Sequence, residues 1–177
     1  PPNPPPPSPP PQLGPAVLYF NGRDTKVMVP YRTGAMAPEE HITFQAWIRP
    51  EELHRGQVLA MMGMNGWAVM LACNEGNGTA CCGNPPPGSL MFWTHQADPG
   101  STTTNCANAP SSTRQVVKSR WQFISVVADA ASETVSFYID GQPAGVSERV
   151  KKTGKMINNG GGSEGLYLGR SGLCQCL

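Results

Sequence analysis

Charge is scarce in this sequence. Only 14% of its 177 residues are Asp, Glu, Lys or Arg, and the formal net charge is +1. It therefore offers neither the basic footprint by which proteins hold nucleic acid nor one for an anionic membrane surface. Long apolar runs are missing too: none approaches the roughly 18 residues a membrane helix needs, so no membrane insertion is expected. A charged-then-apolar leader is absent, and the chain opens on proline rather than methionine, which reads as a processed or partial product whose targeting segment lies elsewhere. Apolar residues nowhere recur at the helical period. Paired C-x-x-C units, the mark of a zinc ribbon, are also lacking.

What the chain does contain is short strand signals, strongest between Arg120 and Gly145. Side chains in a strand alternate between faces. In Trp121 to Ala128, Phe123, Ser125 and Val127 take one face and Gln122, Ile124, Val126 and Ala128 the other, both largely apolar, as in a buried strand. In Thr134 to Asp140 the pattern is cleaner. Val135, Phe137 and Ile139 point inward, while Thr134, Ser136, Tyr138 and Asp140 point outward or to a rim. Asp129 to Glu133 has the length of a hairpin loop, and Asp140-Gly141 is a strong turn dipeptide because its glycine readily takes positive φ. An antiparallel hairpin is expected here.

Elsewhere the same signals recur. Ala16 to Phe20 reads as a strand ended by Asn21-Gly22, with Lys26 to Val29 as its hairpin return. Ile42 to Ile48 alternates Ile42, Phe44, Ala46 and Ile48 against Thr43, Gln45 and Trp47, and Pro50 closes it. Val58 to Met62 and Trp67 to Ala72 form a second hairpin across a glycine-flanked turn. Met61, Met62, Met64 and Met70 in and beside it read as adaptable core filling rather than a soft metal site. Leu90 to Thr94, a brief Gln115 to Val117 and a final Leu166 to Gly169 follow, with loops at Cys73 to Gly88, Asp98 to Thr113 and Val150 to Glu164. Ten or so short strands without helical periodicity imply an all-β antiparallel sandwich or jelly roll. One globular domain, residues 16–177, is the expected organisation.

Residues 1–15 are different. They hold ten of the nineteen prolines, which fix φ near the polyproline II value and remove backbone donors, so the segment reads as a stiff solvated tail. Six cysteines, Cys73, Cys81, Cys82, Cys106, Cys174 and Cys176, are an even set whose spacing suits disulfides in an oxidising, extracellular setting, with the pairing left open. Asn77-Gly78-Thr79 is the one N-x-S/T sequon and falls in the cysteine- and glycine-rich loop, so Asn77 is an expected glycan acceptor.

Four segments in order resemble laminin-G-like domains of the concanavalin A-like jelly-roll superfamily: AVLYFNGRDTKVMVP from Ala16, ITFQAWIRP from Ile42, the Arg120 to Gly145 hairpin and LYLGRSG from Leu166. The resemblance implies Trp47 and Trp121 as structural anchors. Ser125 stands where the family often has a small or apolar residue. Family members usually continue after the LYLG-type segment with a closing strand beside the first one, and RSGLCQCL contains none. Either the polypeptide continues or the Val17 to Phe20 edge is left for a neighbouring chain. The tail in turn resembles the PPPPSPP blocks of hydroxyproline-rich glycoproteins in plant and green-algal walls, which implies hydroxylation and short sugars on Pro4, Pro5, Pro6, Pro7, Pro9, Pro10 and Pro11.

Function must come from sites, because this fold hosts lectins, glycanases and passive modules alike. Related jelly-roll glucanases carry their carboxylates on one strand as E-x-D-x-x-E, and this sequence has no such cluster. Glu133, Asp140, Glu51, Glu52, Glu39 and Glu40 read as solvated positions, and His41, His54 and His95 show no local nucleophile motif. A non-enzyme is expected. The first reading is an extracellular structural or assembly glycoprotein subunit of a wall, coat or filament that self-associates or meets other matrix proteins. The alternative is a carbohydrate- or protein-binding adhesion module, with glycans as partners and calcium as a cofactor held by Asp24 or Asp140.

Overall fold

The computed structural model describes residues 17–22, 24–30, 41–53, 57–62, 67–72, 85–94, 111–129, 131–132, 134–147 and 165–169. The six cysteines, Asn77, the proline tail, Met64, His54, His95, Glu39, Glu40 and Glu133 lie outside them. Among the described residues there are ten strands and no helix: β1 (Val27–Val29), β2 (His41–Ile48), β3 (Gln57–Met62), β4 (Trp67–Leu71), β5 (Ser89–Thr94), β6 (Ser111–Gln115), β7 (Gln122–Asp129), β8 (Thr134–Ile139), β9 (Gln142–Ser147) and β10 (Leu166–Leu168). They form two antiparallel sheets, one of six strands in the order β1-β10-β3-β4-β5-β6 and one of four in the order β2-β7-β8-β9. The expected all-β antiparallel sandwich is the fold.

The alternation read from the sequence decides which side of each strand enters the core. Ile42 of β2, Ile124, Val126 and Ala128 of β7, and Val135, Phe137 and Ile139 of β8 pack against Val69 and Leu71 of β4 and Leu90 and Phe92 of β5. The two sheets thus share one dry layer, with Phe92 and Phe137 its largest fully buried side chains.

The outer faces differ. On the six-stranded sheet, Val58, Met70 and Met91 are cross-strand neighbours on the side opposite Val69 and Phe92, as are Met61 and Ala68, yet all five are buried. Both sides of the sheet's centre are therefore buried, with Met61, Met70 and Met91 packed there, while Met28 at the β1 edge is exposed. The four-stranded sheet keeps an exposed outer face.

At one edge the sheets meet. Thr113 Oγ1 of β6 donates to the Ala144 carbonyl of β9 at 3.0 Å. Gly145 sits there at φ +128°, where an added Cβ would lie 3.0 Å from the Thr113 nitrogen, so only glycine lets the strands approach this closely.

Two elements differ from the sequence expectation. Val27–Val29 pairs with β10, Met28 opposite Tyr167, and not with Val17 to Phe20, which forms no strand. The cause is local: Asn21 Oδ1 accepts from the Asp24 N–H at 3.2 Å, the Thr25 N–H at 3.2 Å and the Thr25 hydroxyl at 2.9 Å. That side chain takes up the donors a tight hairpin would need. Val17, Leu18 and Tyr19 remain exposed, while Phe20 lies over Gly169. The strand placed at Gln115 to Val117 is instead Ser111–Gln115. Its SSTRQ sequence lacks apolar alternation because it lies at a sheet edge, where a Ser112 hydroxyl accepting from the Leu90 N–H at 2.8 Å spans a register shift.

Candidate functional site

The exposed face of the four-stranded sheet is built of four cross-strand rows, set by the register of β2, β7, β8 and β9. Trp47 lies opposite Phe123. Next come Gln45, Ser125, Tyr138 and Pro143; then Thr43, Val127, Ser136 and Val146; and last His41, Asp129 and Thr134. The face thus runs from an aromatic end through amide and hydroxyl groups to one ion pair. The Trp47 and Phe123 rings stand 5.5 Å apart at 54°, a tilted arrangement favoured by the ring quadrupoles. Gln45 is exposed and its Nε2 donates to Ser125 Oγ at 3.4 Å. Trp47, Phe123 and Tyr138 are half-buried, so each holds its ring in place while showing part of it to solvent.

At the polar end, His41 Nδ1 lies 3.3 Å from Asp129 Oδ1. This pairing joins residues far apart in sequence and is invisible in local motifs. The Ala131 and Ser132 N–H groups donate to Asp129 Oδ1 at 2.8 and 3.3 Å, and the Ser132 hydroxyl shares a hydrogen bond with Thr134 Oγ1 at 2.8 Å, so Asp129 stands between His41 and the serine. A hydrolytic triad needs the histidine in the middle to take the serine proton. These groups therefore close the β7–β8 turn and do not activate a nucleophile.

The Ser132 hydroxyl chiefly holds the Asp129 carboxyl below its ordinary value of 3.8; partial burial works the other way, and the Ser132 and Ala131 N–H groups and His41 add to the lowering. With the folded value depressed, its contribution to stability is present above the unfolded value and lost as pH falls through the folded one. Carboxyl-carbon NMR titration is expected to place the Asp129 midpoint below 3.8 and Ser132→Ala to raise it.

Asp140, expected as a calcium donor, stands at φ +53° in the β8–β9 turn. Its Oδ1 accepts from the Phe123 N–H at 2.9 Å and its Oδ2 from Gln122 Nε2 at 3.1 Å. Asp24 Oδ1 accepts from Asn21 Nδ2 at 2.6 Å. Both serve their turns, and no group of three His, Cys, Asp or Glu side chains that could hold a metal occurs among the described residues. Glu51 faces Arg49 at 3.4 Å and Glu52 faces Lys118 at 3.3 Å, as surface ion pairs. Trp47, read from sequence as an anchor, belongs to the exposed face. Alternation placed Tyr138 outward or at a rim and Gln45 on the face opposite Ile42 and Phe44, but bringing them into one row required the β2–β7–β8 register.

A family model, Laminin_G_3, described as concanavalin A-like lectin/glucanases superfamily, matches residues 20–172. The chain belongs to this laminin G family. Among solved structures, the module is similar to a Bacteroides ovatus protein inferred to bind carbohydrate, at 16% identity and a TM-score of 0.56 over 82% of this chain and 34% of that one. It therefore spans about a third of that protein. It is also similar to the fourth domain of an extracellular arabinanase from Geobacillus stearothermophilus, solved with arabinotriose, at 13% identity, TM-score 0.49, over 82% of this chain and 58% of that one. A heptameric pentraxin from Limulus polyphemus is similar at 14% identity and TM-score 0.44, over 85% and 64% of the respective chains. At these identities the first likeness establishes the fold of the laminin G module. No curated protein matches its sequence.

Proposed function

We propose that this laminin G module is a non-catalytic carbohydrate-binding unit that works outside the cell. The observation that carries this reading is the outer face of the four-stranded sheet, where amide and hydroxyl groups lie beside half-exposed aromatic rings. Sugars ask for that combination: an apolar surface for the ring and a few placed donors and acceptors for its hydroxyls. Glycoside hydrolysis asks for two carboxylates about 5 to 10 Å apart across the sugar. The four rows carry one, Asp129, and it is paired with His41. The family and the Bacteroides neighbour support the same class of function. The coat- or filament-subunit reading has no support in either and gives way to the binding reading.

The test is a glycan array and solution binding with residues 1–177, run with calcium and with a chelator. Binding without release of new reducing ends is expected. No affinity for any glycan, or steady cleavage of the bound one, would overturn the assignment.

A further inference from the structure

Resting on the carbohydrate-binding reading, we infer that the ligand is the interior of an extended, uncharged polysaccharide, lying across the strands along the Gln45 to Pro143 row and against Trp47 and Phe123. Three observations converge on it.

The first is charge. The rows of Trp47, Gln45 and Thr43 contain no Asp, Glu, Lys, Arg or His. The one acidic side chain of the four rows, Asp129, is at the far end of the face beside His41. A sulfate or uronate is recognised through charge-assisted bonds from Arg or Lys; at the Pro143 end Arg114 Nη1 donates to the Pro143 carbonyl at 3.5 Å, and along the rest of the row an anion would lose water with nothing in return. An uncharged chain meets no such loss.

The second is extent. Strands are spaced about 4.8 Å apart, so a row crossing four of them is about 14 Å long, more than a single sugar ring can cover. Consecutive residues of a polymer can use it. A lone terminal sugar would engage one part and leave the rest wet.

The third is the chemistry of the row. Ser125 is buried and fixes the Gln45 amide through its Nε2, which presents the Gln45 oxygen as an oriented acceptor. The Tyr138 hydroxyl, on the next strand but one, both donates and accepts. The adjacent Trp47 and Phe123 rings offer apolar surface at the same level. Acceptor and donor thus lie along one row, with the two rings in the row beside it.

The experiment is affinity electrophoresis of residues 1–177 in gels containing a neutral galactomannan, a neutral mixed-linkage glucan, polygalacturonate or dextran sulfate, at low and high salt. Calorimetry with oligosaccharides of increasing length accompanies it. Retardation by a neutral polymer, unchanged by salt, is expected, with affinity rising with oligosaccharide length. Trp47→Ala should weaken it about tenfold, equivalent to about 1.4 kcal/mol, and Gln45→Ala several-fold. Gln45 is exposed, so that variant reports on the site even if Trp47→Ala fails to fold. Binding only to the anionic polymers with steep loss in salt, equal affinity for monosaccharide and long oligosaccharide, or neutral-glycan binding untouched by Gln45→Ala would each overturn this inference while leaving the carbohydrate-binding module standing. Failure to bind any of the four polymers or the oligosaccharides would overturn this inference, and a blank glycan array beside it would overturn both.

Discussion

Gln122→Leu is expected to lower the stability of the domain by about 1–3 kcal/mol, the cost of leaving one partly buried backbone donor without its acceptor. Gln122 is 4% exposed. Its Oε1 accepts from the Val117 N–H at 2.5 Å, and its Nε2 donates to Asp140 Oδ2 at 3.1 Å. Asp140 Oδ1 in turn accepts from the Phe123 N–H at 2.9 Å. One amide therefore ties the segment after β6 to the start of β7 and the β8–β9 turn. Leucine fills similar space but satisfies neither end. Urea unfolding measures the loss as a lower midpoint at constant slope. Gln122→Glu separates the two ends: it keeps an acceptor for Val117 but sets a carboxylate against Asp140, so its deficit should shrink in acid. Equal stability of the wild type and the leucine variant would show that the network contributes nothing.

Gly169→Ala should be at least as damaging. Gly169 follows β10 at φ +70°, a left-handed conformation that costs an L-residue about 1–2 kcal/mol. A Cβ built there runs into the Phe20 ring, and overpacking of this kind typically adds about 1–3 kcal/mol. Together these give a loss of about 2–5 kcal/mol. The double variant Gly169→Ala/Phe20→Ala resolves the parts, because contacting residues show non-additive energies. If Phe20→Ala does not relieve part of the loss, steric overlap is not the cause.

Legibility in the sequence followed the range of the interaction. Alternation along Ile42 to Ile48 and Thr134 to Asp140 is a property of single strands: it put Val135 and Phe137 inward and Tyr138 outward or at a rim, and it separated Phe44 from Gln45 and Trp47, which lie on opposite faces of β2. The Asp140-Gly141 turn was equally local. Register between distant strands was not: nothing near Val27 in the chain announces Leu168 as its partner, and the apolar AVLYF run suggests a strand although the Asn21 side chain diverts the chain from hairpin pairing. The His41–Asp129 pair and the Gln45–Ser125 bond arise only once β2 and β7 are adjacent. Ser111–Gln115 was missed because an edge strand anchored by a serine hydroxyl carries no hydrophobic period.

The same adjacency governs how the molecule comes into being. The bond from Gln45 to Ser125 closes a span of 80 positions, whereas β7, β8 and β9 follow one another through short turns. Loop closure must be met before such a long-range contact brings any gain, so the meander of β7 to β9 is expected to form early and β2 to dock late, on the slow timescale typical of sandwiches. Trp47 of the aromatic pair and Gln45 of the polar row arrive with β2. Docking of β2 seats Ile42 in the core at the same time as it completes the binding face, and a glycan laid across β2 and β7 would act as a clasp on that strand.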